Sequence, residues 1–136
     1  MAQLSERERG VLQKQAFVHL STLGPDGSPH GSVVWVDVDG DTILINTAEG
    51  RSKVEHVRND PRVSVSVADP DNPYDSVSVS GVVEEITHEG ADAHIDAMAM
   101  KYLGQETYPF RGPDEVRVLL KIRPTAVKSM FMSDFM

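Results

Sequence analysis

The residues with the clearest chemical potential are Thr47-Ala48-Glu49-Gly50-Arg51-Ser52-Lys53. They stand between a strand-like run and a segment in which Ser52 and Glu55 have capping-box spacing, which predicts a helix start. The first turn of a helix leaves backbone N–H groups without intrahelical partners, and these favour an anion. The helix dipole ordinarily prefers Asp or Glu in that turn. Arg51 and Lys53 oppose it, at a cost of roughly a few tenths of a kcal/mol each. A bound phosphate would remove the conflict, and the hydroxyls of Thr47 and Ser52 could add donors. Simple pairing of the two cations with Glu49 and Glu55 explains the same residues, and locally both readings stay open. Upstream, Val33-Val34-Trp35-Val36 form an apolar strand that could lie along a planar ring system. The single tryptophan would serve equally well in a core or an interface.

Other chemistries find little support. The histidines are His19, His30, His56, His88 and His94, and no H-x-x-x-H or H-E-x-x-H pattern occurs. Asp92, His94 and Asp96 are expected on different faces of a helix, so no metal site is expected there. Glu84 and Glu85 should face opposite sides of a strand. Neither a G-x-S-x-G elbow nor a P-loop is present. Cysteine is absent, which removes thiol nucleophiles and thiolate metal sites. Lys and Arg number 13 against 21 Asp and Glu, a formal charge of −8. That balance argues against nucleic acid or a membrane surface as the partner.

The elements that must carry these residues are mostly strands. A short capped helix is expected after Ser5, with Glu8 completing the box and Gly10 weakening it. Strands are expected at 16–23, 30–38, 42–47, 62–68, 75–87 and 115–123, with turn chemistry at Gly24–Pro29 and Asp39–Asp41. Gly81 interrupts an alternation and predicts a bulge. In the last strand Val116, Val118, Leu120 and Ile122 should face inward, and Arg117, Lys121 and Arg123 outward. Residues 48–61 and 88–103 are expected to hold helices, the second burying Ala91, Ile95, Met98 and Tyr102. Residues 124–136 form an apolar tail that could pack on a partner subunit. With 136 residues, the chain is expected to be one domain, 1–136, mainly β: a six-stranded antiparallel split β-barrel with a few short helices. Residues 1–15 are charged throughout and no run reaches membrane-span length, so a cytoplasmic protein is expected.

Four runs taken together carry a family resemblance: S-T-L-G-P-D-G-S-P-H, V-V-W-V-D-V-D-G-D, I-N-T-A-E-G-R-S-K and N-D-P-R-V-S-V-S-V-A-D-P-D-N-P-Y. From about residue 12 to residue 127 the chain resembles the pyridoxamine 5′-phosphate oxidase-like superfamily, whose fold is the FMN-binding split barrel. H-I-D-x-x-A-x-K-Y-L-G at 94–104 and R-G-P-D-E-V-R-V at 111–118 resemble its small class that uses the deazaflavin coenzyme F-420. The resemblance implies a homodimer with cofactor sites at the interface. It implies that Lys53, with Arg51 and Ser52 at the same helix start, holds the cofactor phosphate. Val33, Val34, Trp35, Asn46 and Thr47 would line the ring and its side arm. Tyr74 and Ser76 would reach the site from the partner subunit. The implied activity is hydride transfer from reduced F-420 to a small organic acceptor, with His30, Tyr74 or solvent as the proton source. FMN is the alternative cofactor, and a non-catalytic flavin or deazaflavin carrier is the alternative role. The chain lacks the C-terminal extension that closes the founding oxidase's substrate site, which speaks against pyridoxamine phosphate as substrate.

Overall fold

The computed structural model describes residues 2–136. In chain order the elements are α1 (Glu6–Gln13), β1 (Phe17–Leu23), β2 (Pro29–Trp35), β3 (Asp37–Asp39), β4 (Thr42–Ala48), α2 (Ser52–Asn59), β5 (Arg62–Asp69), β6 (Asn72–Thr87), α3 (Ala91–Leu103) and β7 (Arg117–Met130). A short 3-10 turn, Met132–Phe135, follows. All strand pairs are antiparallel, in the order β2-β1-β5-β6-β7-β4-β3. The two edge strands, β2 and β3, are adjacent in sequence and separated only by Val36. The sheet must therefore curl until its two edges nearly meet, which makes a split half-barrel.

The expected strand 30–38 is thus two strands, and the count is seven rather than six. The break at Val36 is held from α3. The Val36 N–H donates to the Tyr102 hydroxyl at 3.0 Å, and its carbonyl accepts from Lys101 Nζ at 2.7 Å. The Tyr102 hydroxyl also donates to the Ala16 carbonyl at 2.6 Å. These contacts satisfy backbone groups that would otherwise be buried without partners. Ala91, Ile95 and Met98 of α3 are buried and Tyr102 half-buried on the expected face.

Inside the curl, Val18, Leu20, Ile43, Ile45, Val65, Val77, Leu120 and Ile122 form one core that Leu12 of α1 caps. The Ser5–Glu8 capping box is present in both directions. The alternation of 62–68 is borne out, with Val63, Val65 and Val67 buried. Gly81 sits at a register shift against β7. A Cβ there would come within 2.8 Å of Ile122 Cγ2 and 2.9 Å of the Arg123 carbonyl oxygen.

Two further expectations need correction. The last strand starts at Arg117 and continues to Met130, so most of the supposed tail is strand. Val116 precedes it and is 50% exposed, whereas Arg117 is buried. Of the tail's aromatics, Phe131 packs at home, buried beneath the Arg7 guanidinium at 3.9 Å, while Phe135 is exposed. Among the described residues no helix is long and apolar enough to cross a membrane.

Candidate functional site

The site forms where β2 and β4 end and α2 and β7 begin, near the barrel's split. β4 ends at Ala48, and Gly50 turns the chain with φ 88°, a conformation that side chains disfavour. Arg51 then occupies the N-cap of α2 in extended conformation, and no side chain caps the helix. Ser52 is therefore the first helical residue rather than the cap that its spacing suggested. Register brings the second wall: Ala48 of β4 lies opposite Arg117 of β7, and Thr47 opposite Val118. The first residue of β7 is thus delivered beside the helix start that carries Arg51 and Lys53.

A hollow of about 260 Å³ results. Of the ten residues expected at a cofactor site, seven line it: Val33, Val34, Trp35, Asn46, Thr47, Arg51 and Lys53. Ser52 lines an adjoining hollow of about 300 Å³ with His30 and His56, and both hollows share Arg51 and Lys53. Tyr74 and Ser76 line neither: Tyr74 is exposed at the start of β6, and Ser76 pairs with Ala68 and Met130. A larger hollow of about 480 Å³ lies between β1, β5 and β6, with Arg62 as its one charged residue.

The walls differ in character. On one side stand Val33, Val34 and Trp35, with Trp35 stacked on Tyr102 at 4.9 Å and an interplanar angle of 4°. On the other stand three cations. Arg117 donates from Nε to Asn46 Oδ1 at 2.9 Å and lies 3.1 Å from the Glu115 carboxylate. Arg51 reaches the same carboxylate at only 3.8 Å. Glu115 is the single carboxylate shared between them. Lys53 is half-buried, and the charged groups acting on it are Arg51 and Arg117. Burial first, then these two cations, pushes its ammonium pKa below the ordinary lysine value.

The Glu49 and Glu55 carboxylates, offered earlier as simple partners for Arg51 and Lys53, are engaged elsewhere. Arg58 donates to Glu49 at 2.7 Å and to Glu55 at 3.2 Å, and His88 Nε2 lies 2.6 Å from Glu49. The cation cluster is thus undercompensated within the chain. Clustered cations and backbone N–H groups at an uncapped helix start suit an oxyanion such as phosphate. The apolar strand and Trp35 suit the ring system of the same ligand. The residues present therefore fit a phosphate-bearing flavin or deazaflavin.

Arg117, Tyr108, Phe17 and Ile95 also line the hollow and were not singled out from sequence. Strand alternation put Arg117 with the solvent-facing Lys121 and Arg123. Tyr108 lies in an irregular loop; its N–H donates to Asp96 at 2.9 Å and its ring faces the Arg117 guanidinium at 5.1 Å. Asp92 and Asp96 do share a helix face, where both approach Arg111, while His94 turns away toward Asp37.

The comparisons agree with this architecture. The family model of pyridoxamine 5′-phosphate oxidase matches residues 4–131. Among solved structures, one described as an F420 reductase is 30% identical, with a TM-score of 0.80, covering 92% of this chain and 98% of that one. Conserved hypothetical protein Rv2991 of Mycobacterium tuberculosis is 28% identical, with a TM-score of 0.73, covering 93% and 84%. General Stress Protein 26 of Bacillus anthracis, at 20% identity and a TM-score of 0.64 over 89% and 88%, shares the fold. No match was found among curated protein sequences. With its half-barrel intact and nearly its whole length matched, the chain belongs to the pyridoxamine 5′-phosphate oxidase family.

Proposed function

We propose that the protein is an oxidoreductase that binds reduced coenzyme F-420 in the hollow between β2 and α2 and transfers a hydride to a small organic acceptor. The observation that carries this reading is the undercompensated trio Arg51, Lys53 and Arg117 facing an apolar strand, in a chain of net charge −8. The similarity to a structure described as an F420 reductase favours the deazaflavin over FMN. When bound, the cofactor supplies the hydride chemistry. The chain's residues bind and orient it: Arg51, Lys53 and Arg117 would hold its phosphate, Thr47 would add a hydroxyl donor, and Val33, Val34 and Trp35 would lie along the ring. Solvent and His30, which lines the second hollow, are candidate proton sources.

Val33 is 59% exposed at the mouth of the hollow and Phe17 is exposed beside it. We take this open, partly apolar rim as the face closed by a second copy, whose Tyr74 and Ser76 would complete the site. The test is titration of purified protein with F-420 and with FMN, alongside sedimentation equilibrium. F-420 binding by a particle of twice 14.9 kDa supports the reading. Tight FMN binding without F-420 binding replaces the cofactor, and binding of both without oxidation of the reduced form across a panel of enones leaves a carrier.

A further inference from the structure

A chain of polar contacts runs from the outer edge of the barrel to the cation cluster, and His94 is at its centre. Its side chain is 12% exposed. His94 Nε2 lies 3.0 Å from Asp37 Oδ2, and His94 Nδ1 lies 3.2 Å from Asn46 Nδ2. The same Asn46 Nδ2 donates to the Ala91 carbonyl at 2.8 Å, and Asn46 Oδ1 accepts from Arg117 Nε at 2.9 Å.

Donor and acceptor accounting leaves one consistent arrangement. The guanidinium can only donate and the Ala91 carbonyl can only accept, so the Asn46 amide is fixed from two sides. Its NH2 group must then face His94 Nδ1, which must accept. The ring proton sits on Nε2 and is donated to Asp37. The Asp37 carboxyl is held below the usual range, first by this bond. Protonation of Nδ1 would set donor against donor. Turning the amide would relieve that clash only by confronting Arg117 Nε and the Ala91 carbonyl with the wrong atoms.

We propose that His94, locked as the neutral Nε2–H tautomer, is a positioning residue that aims Arg117 into the pocket through Asn46, and that its protonation releases Arg117. The effect on ligand affinity rests on the reading of that pocket as an anion site; the relay itself does not. Other charged groups nearby are accounted for. Asp37 faces His94 from β3 and Lys101 lies toward Asp37. Arg117 and Glu115 stand beyond Asn46, and Asp92 and Asp96 on α3 engage Arg111.

The test uses His94→Gln, whose amide can accept from Asn46 and donate to Asp37 but does not titrate. In the cofactor-free protein, long-range proton–nitrogen spectra should show His94 as the Nε2–H tautomer near neutral pH. The Arg117 Nε–H resonance should move as the wild type is acidified through the range in which histidine titrates, and stay still in H94Q. An Nδ1–H tautomer, or an Arg117 signal that behaves alike in both proteins, overturns the relay regardless of what the pocket binds. F-420 titrations then read the functional arm. The two proteins should bind alike at about pH 8, and wild type should fall roughly fivefold behind H94Q at about pH 5.5. Ionisations other than that of residue 94 are common to both proteins and cancel from that ratio. Parallel affinity profiles overturn the coupling to the pocket. Absence of F-420 binding in both, with the spectra as expected, refutes the cofactor reading of the pocket and leaves the relay standing.

Discussion

Replacing Lys53 by methionine should make the unliganded protein more stable and the cofactor complex weaker. The ammonium is half-buried near Arg51 and Arg117 and, among the described residues, forms no ion pair with a carboxylate, so the free protein bears both desolvation and repulsion. Methionine keeps the length of the side chain and removes the charge. Discounted for partial exposure, the relief should be about 0.5–1 kcal/mol, which raises Tm by about 2–5 °C. The sign is checked by pH. The folded pKa lies below the unfolded value near 10.5, so the folded state binds its proton less tightly than the unfolded chain does. The penalty is full below the folded pKa and fades as pH rises through it toward 10.5, so the Tm gap between K53M and wild type should close there. With cofactor the effect reverses. Loss of one charge-assisted phosphate contact costs about 1.5–3 kcal/mol, or roughly 10- to 150-fold in Kd. Thermal melts and cofactor titrations on the same preparations measure both. An unchanged Kd refutes Lys53 as a phosphate ligand. A lowered Tm would show that the side chain stabilises the fold, and the undercompensated-cluster argument would fail.

Two further substitutions probe the scaffold. Gly81→Ala would push a Cβ to 2.8 Å from buried Ile122 and 2.9 Å from a backbone carbonyl, so urea unfolding should report a loss of about 1–3 kcal/mol, with cofactor affinity unchanged because Gly81 lines neither hollow of the site. An unaltered midpoint would mean that the bulge relaxes at no cost. Glu49→Gln should lower stability by about 0.5–1 kcal/mol at neutral pH. Arg58 first, then His88, holds the Glu49 carboxyl at about 2, so its stabilisation is full above the ordinary 4.5 and is lost as pH falls through about 2. Melting curves of the two proteins should therefore converge in strong acid, and a constant offset would remove the ion pair as the cause.

The strands were legible because a half-barrel buries one face of each, and Val63, Val65 and Val67 alternate with Ser64 and Ser66 accordingly. The break at Val36 carries no such signal. No glycine or proline marks it; Lys101 and Tyr102 impose it from 65 and 66 residues away, which no local pattern can encode. Arg117 was misplaced for a related reason. Period-two alternation assumes that the polar face of a strand is wet. At the start of β7 Arg117 is covered: Tyr108 lies over it, and Asn46 and Glu115 take its donors. The helix-start signal at residues 47–53 was legible in substance and wrong in detail. Capping spacing pointed to Ser52, but the turn at Gly50 brings Arg51 into the N-cap, leaving the helix start without a side-chain acceptor.

That detail bears on how an acidic protein would hold the anion proposed for this hollow. Net charge constrains the long-range field, whereas the pocket is set by one strand register. Because Ala48 faces Arg117, β7 begins where β4 ends, and its first side chain emerges beside the helix start that carries Arg51 and Lys53. A slip of one residue would turn Arg117 to the opposite face of the sheet and leave two exposed or half-exposed cations with no third. The register is in turn anchored by Ile43 against Ile122 and Ile45 against Leu120, all fully buried in the core. Core packing thus bears the cost of assembling three like charges, which in isolation repel. The cluster persists because apolar residues away from the pocket fix the register, and under the proposed function an anionic ligand would supply the charge that Glu115 alone does not.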